Sequence, residues 1–167
     1  PWVRLHATKD YLHMAAVLQD FPKVHQTFNF VPSLVEQLID YAAGVAVDRC
    51  LKLTLKEELT AEDKRFMLSF FFHISWDKVI RTYPRYWQLL HLRNEVNGDI
   101  SLLSESFWCD LAVWFNLAWI DPSYLEQDRE LSALVEKGHG FTQSDRALIA
   151  AKHGALCAKV LPTYRGL

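Results

Sequence analysis

Val24-His25-Gln26-Thr27-Phe28-Asn29-Phe30 is the stretch on which the fold class turns. Val24, Phe28 and Phe30 alternate with His25, Thr27 and Asn29, and the segment is rich in β-branched and aromatic residues. That period of two predicts a β-strand of about six residues. Pro32 blocks its continuation. One strand cannot satisfy its own ladder of backbone groups, and even a two-stranded hairpin is marginal in water. No convincing second strand is visible elsewhere in the sequence. The reading therefore expects sheet neighbours that these residues do not supply, as in a parallel sheet built from βαβ units. A fragment of a larger α/β domain is the expectation.

Outward from this segment the periodicity is helical. Upstream, Leu5, Leu12, Ala15, Ala16 and Leu18 share one side of a helix that stops at Phe21-Pro22. Downstream, Ser33-Leu34-Val35-Glu36 reads as a capping box opening a helix that ends at Gly44. Thr60-Ala61-Glu62-Asp63 is a second helix start, and Tyr83-Pro84 a third, with proline in the first turn. Asn97-Gly98 signals a turn. Ser104 to Trp119 is apolar over more than one face, the mark of a buried helix. Another helix is expected from Leu125 to Glu136, stopped by Gly138-His139-Gly140. Thr142, with Asp145 in the first turn, caps a last helix to about Val160. No internal repeat interrupts this order.

The 167 residues are 50% hydrophobic and 13% aromatic, ample for a core and unlike a disordered chain. The formal charge of −2 leaves no basic footprint for nucleic acid and no polybasic membrane patch. No apolar run approaches the roughly 20 residues of a membrane helix. Cys50, Cys109 and Cys157 are too scattered for a disulfide framework or a zinc knuckle, which favours a reducing, cytoplasmic setting. There is no Gly-x-Ser-x-Gly elbow and no phosphate-binding Gly-Lys-Ser/Thr loop.

Four segments together resemble glycoside hydrolase family 57, the α-amylase and amylopullulanase group. They are Pro-Trp-Val-Arg-Leu-His-Ala-Thr-Lys-Asp-Tyr at 1–11, His-Gln-Thr-Phe-Asn-Phe-Val-Pro-Ser-Leu-Val-Glu-Gln-Leu at 25–38, Val-Trp-Phe-Asn-Leu-Ala-Trp-Ile-Asp-Pro at 113–122 and Glu-Lys-Gly-His-Gly-Phe-Thr at 136–142. The resemblance implies an incomplete (β/α)7 barrel acting on α-glucan or maltooligosaccharide, with no cofactor and no metal. It also implies what these residues lack. The family's first strand, with its His-Gln-Pro motif, lies upstream of the Pro-Trp-Val-Arg segment; His25-Gln26 is followed by Thr27 and is not that motif. The nucleophilic glutamate and acid/base aspartate lie on strands beyond residue 167.

Retaining hydrolysis needs two carboxyl groups about 5–5.5 Å apart across the scissile bond. Glu57-Glu58 and Glu62-Asp63 are sequence neighbours and diverge on a helix, while Glu36 and Asp40 fit a solvated face. No catalytic residue is therefore expected in this chain, and the isolated chain is expected to hydrolyse no α-glucan. Six residues are candidates for substrate contact. Trp2, Arg4 and His6 would follow the missing first strand, above the barrel mouth, where rings stack on sugars and arginine bridges hydroxyls. Asn29 sits at the carboxyl end of the expected strand. Trp119 and Asp121 close the apolar helix near the cleft. The bland readings are a tryptophan on the rim, an arginine ion pair, loop capping and core packing. His6, Asp10 and His13 share a helix face at i, i+4 and i+7, a spacing that a metal could use, but a metal is not expected.

The sequence thus reads as mostly α, with about six to eight helices and one or few short strands. Residues 1–44 form a barrel helix–strand–helix unit and 45–167 a helical insertion of the same domain. The parent is expected to be a retaining amylase, pullulanase or branching-type enzyme. The competing reading is a self-contained helical module that binds another protein. No nucleic-acid or membrane partner is expected, whereas self-association of the isolated chain is, through its unpaired strand and apolar faces.

Overall fold

The computed structural model describes all residues from Pro1 to Leu167. All of its regular elements are helical. The α-helices are α1 (Trp2–His6), α2 (Leu12–Gln19), α3 (Pro32–Ala42), α4 (Arg49–Leu55), α5 (Ala61–Phe70), α6 (Pro84–Glu95), α7 (Glu105–Ala118), α8 (Pro122–Gln127), α9 (Arg129–Lys137) and α10 (Gln143–Arg165). A π-helical turn at Ala7–Tyr11 joins α1 to α2 without a break.

Helix α7 is the axis of the core. From Asp110 to Ala118 every residue is buried, as the widely apolar sequence predicts. Ser104 caps it by accepting from the Phe107 amide. Phe115 stacks on Phe71 with centroids 4.2 Å apart, and Trp114 lies against Tyr83 at 4.9 Å while its indole N–H donates to Gly138 O at 2.7 Å. The buried hydroxyl of Tyr86 donates to Phe71 O. The 34 buried apolar residues form one contiguous cluster running from Leu5 and Leu38 to Val160. Helix α10 closes it, packing on α2, α3, α4 and α7.

Several starts lie where the sequence put them. Thr60 and Thr142 head reciprocal capping boxes with Asp63 and Asp145. Pro84 opens α6, and Asn97-Gly98 turns with both residues at positive φ, a conformation glycine adopts without strain.

Other expectations are corrected. Residues 24–30 form no strand: they run between Pro22 and Val31 without helix or ladder, and no amide from His25 to Phe30 has a backbone partner. The alternation is real, but a strand exists only by pairing, and no second extended segment reaches it. Phe28 and Phe30 instead pack edge-on against Tyr164, at 4.8 and 4.7 Å. Ser33 heads no capping box. Pro32 occupies the first helical position, so the extended Val31 (ψ 143°) is the cap and Ser33 already lies inside the helix. The single helix expected over 125–136 is two, because Asp128 turns extended and accepts from the Glu130 and Leu131 amides to start α9. Helix α10 outruns Val160, passing through Pro162 to Arg165. Helix α4, capped by Asp48, was not foreseen as a separate element; at 7 residues it is too short to show a period.

Candidate functional site

The first eleven residues present two faces with different chemistry, and the π turn fixes how they dock. Widening the helix at Ala7–Tyr11 frees carbonyls that an α-helix would use internally. Thr8 O accepts from the Asp121 amide at 3.1 Å, while the Thr8 hydroxyl donates to Trp119 O at 2.6 Å. Lys9 Nζ donates to Ala118 O at 3.3 Å, and Tyr11 O accepts from the Tyr164 hydroxyl at 2.8 Å. The C-terminal end of α7 is thereby bolted to the amino-terminal helix.

On the outer face this docking gathers three of the six candidate residues. Trp2, 47% exposed, lies 5.8 Å from Trp119 in an edge-on arrangement, with Phe70 behind it at 5.5 Å. The His6 ring sits 5.3 Å from Trp119 and 6.0 Å from Trp2. Trp119 itself is buried, and its N–H has no partner, so it supports the other two rings rather than offering a donor to solvent. Asp121 lies on the next turn. It caps α8 through the Ser123 amide and reaches His13 Nδ1 at 3.2 Å.

Arg4 and Asn29 go elsewhere. Arg4 faces inward at 1% exposure, with Nε donating to Asp48 Oδ2 at 2.7 Å and Nη1 to Asn116 Oδ1 at 3.0 Å. Nη1 also meets His153 Nδ1 at 2.9 Å. Because a guanidinium only donates, His153 Nδ1 must accept, and its other nitrogen carries the proton toward Asn116 O at 3.1 Å. Asn116 Nδ2 passes the chain on to the Thr54 hydroxyl at 2.9 Å. Burial would raise the Asp48 carboxyl, but the charge and hydrogen bond of Arg4 outweigh it and hold Asp48 below the usual carboxylate range. Burial, reinforced by the Arg4 charge, drives His153 well below an ordinary histidine. This is a structural clamp joining α1, α4, α7 and α10. Asn29 is exposed on the 24–30 segment and makes no side-chain hydrogen bond.

The other buried carboxylate, Asp110, is also committed. Arg85 Nε and Nη2 grip its Oδ2 at 2.8 and 2.7 Å, and its Oδ1 accepts from the Phe141 amide. Glu57, Glu58 and Glu36 are exposed. The His6, Asp10 and His13 spacing resolves into two separate pairs, since His6 binds Asp10 while His13 turns to Asp121, and no group of three such side chains converges on a metal-sized site. A cavity of about 650 Å³ is lined by the 24–30 segment and the end of α10, including Val24, Phe28, Phe30, Leu161 and Tyr164. Its lining is mostly apolar, with His25, Gln26 and Arg165 among it, and it is separate from the Trp2–His6 cluster.

The sequence model of glycosyl hydrolase family 57 matches residues 1–156. The chain belongs to this family. Glycosidic-bond chemistry on glycans is the class of this family, and the match spans the Arg4 clamp, the Trp2–His6–Trp119 cluster and the unpaired segment alike. No match emerges among curated proteins or among solved structures. No helix of the family-57 chain is long and apolar enough to cross a membrane.

Sequence reasoning set Asp10 on one helix face with His6 but weighed the pair only as metal ligands, and it missed Tyr11, whose ring lies beside His6. Phe70, the backing of Trp2, lies 68 positions away and carries no readable signal.

Proposed function

We propose that these residues are part of the N-terminal catalytic domain of a retaining α-glucan-active glycoside hydrolase of the amylase, pullulanase or branching type, and that they contribute a sugar-binding shelf rather than catalytic groups. Residues 1–44 would form the barrel unit and 45–167 the helical insertion beside the cleft, in a cytoplasmic enzyme needing no metal or cofactor. The observation that carries the reading is the half-exposed Trp2 ring set beside His6 over a buried Trp119. An aromatic face packs against the C–H face of a glucose ring, and a neighbouring imidazole reaches its hydroxyls. Asp121, one turn on, would bound the shelf. The carboxylates that could do chemistry, Asp48 and Asp110, are spent on Arg4 and Arg85, so the nucleophile and the acid/base are assigned to strands outside these residues. The bare amides of 25–30 would find their partners on the same missing strands.

One observation favours the competing protein-binding module: the 34-residue core closes without any strand. Titration with maltoheptaose separates the two. The shelf reading expects saturable binding to residues 1–167, weakened about tenfold by Trp2→Ala on loss of one stacking contact, with no release of reducing sugar. Binding that is absent or indifferent to Trp2→Ala would overturn the shelf, and turnover by the isolated chain would overturn the assignment of catalysis elsewhere.

A further inference from the structure

We propose that Asp10 is a positioning residue for this shelf, holding His6 in the tautomer whose Nε2 lone pair accepts a hydrogen bond from a glucan hydroxyl. The inference rests on the reading of Trp2, His6 and Trp119 as a sugar shelf and adds to it the polarity of the histidine contact. Asp10 Oδ2 lies 2.5 Å from His6 Nδ1, one helical turn away. An ionised carboxylate only accepts, so Nδ1 bears the proton, and a neutral ring is left with a bare Nε2. Two aromatic rings flank the imidazole. Trp119 meets it edge-on at 5.3 Å and Tyr11 stacks on it at 6.0 Å, 28° from parallel. Both members of the pair still reach solvent, at 39% and 46% exposure, so the pair is open to a ligand. The nearby cation, Lys9, is engaged by Ala118 O, and His13 by Asp121, which leaves Asp10 as the carboxylate paired with His6.

The carboxylate fixes the tautomer whether or not a sugar binds, so a merely structural pair is told from a positioning one by whether glucan affinity follows the tautomer. Long-range nitrogen–proton NMR on the His6 ring, at a pH where histidine is neutral, reads the tautomer directly. The wild type is expected to be protonated at Nδ1, and Asp10→Asn to populate the Nε2-protonated form. Maltoheptaose affinity is then expected to fall about tenfold in Asp10→Asn, the loss of one hydrogen bond, and to recover in Asp10→Glu, with melting temperature unchanged. A wild-type His6 protonated at Nε2 would overturn the positioning role, as would equal affinity of wild type and Asp10→Asn. Absence of any maltoheptaose binding by the wild type would remove the shelf itself, an outcome distinct from either.

Discussion

Helix α7 and the 24–30 segment are both rich in aromatic and branched residues, yet one is the most buried part of the molecule and the other among the most exposed. The difference is backbone accounting. A helix closes its own peptide hydrogen bonds and can be buried on all sides, provided its polar side chains find partners, as Asp110 does in Arg85 and Asn116 in Arg4 and Thr54. An extended segment leaves its amides and carbonyls open, and burying them unpaired costs more than its few apolar side chains return. It stays in water.

The strongest way to break the comparison is from the buried side. Arg4→Met removes the guanidinium paired with Asp48 and strands the acceptors of Asn116 and His153. Leaving one charge of a buried pair uncompensated is expected to cost about 3–5 kcal/mol in urea unfolding, whereas a cost under about 1 kcal/mol would mean that the clamp is not holding α1, α4, α7 and α10 together. The double variant Arg4→Met, Asp48→Leu should recover part of the loss.

A pH series probes the same clamp more gently. His153 is neutral in the folded state, with its affinity for protons depressed by burial and by Arg4. In the unfolded chain it titrates near about 6.5. Its contribution is therefore fully present above that pH and is lost as the pH falls below it, because the unfolded state takes up a proton that the folded state refuses. The expected slope is about 1.4 kcal/mol per pH unit from this one site. His153→Gln, which keeps a side-chain acceptor and donor, should flatten the slope between about pH 6.5 and 5. An unchanged slope would place a proton on the buried ring.

What was legible in the sequence divides along the same line. Local signals were read correctly where a residue acts on its own neighbours: the threonine caps at 60 and 142, the proline start at 84 and the all-round apolarity of α7. Ser33 misled because its motif competed with Pro32, which fixes the backbone one residue earlier. The strand misled for a deeper reason, since alternation records what a segment is suited to and pairing depends on chain elsewhere. At the site, His6 and Asp10 were visible as a spacing and were weighed as metal ligands. That Arg4 would turn inward while Trp2 and His6 turn outward follows from docking against Asp48, 44 residues away, which no local pattern encodes.

The smallest effect tests the exposed side. Val24 is 53% exposed in a segment whose next six amides have no backbone partner, and Phe21 and Val31 on either side are 56% and 47% exposed. If the segment is held only by Phe28 and Phe30 on Tyr164, then Val24→Lys removes no packing and should shift unfolding by less than about 0.5 kcal/mol. Its effect should appear between molecules instead. An unpaired apolar edge invites a second copy, and a lysine there is the residue that natural sheet edges use to refuse one. Sedimentation velocity over a concentration series is therefore expected to show the wild type self-associating and Val24→Lys remaining smaller. If the substitution lowers stability by more than about 1 kcal/mol while leaving association unchanged, Val24 is packed within its own molecule and the contrast with α7 fails at that residue.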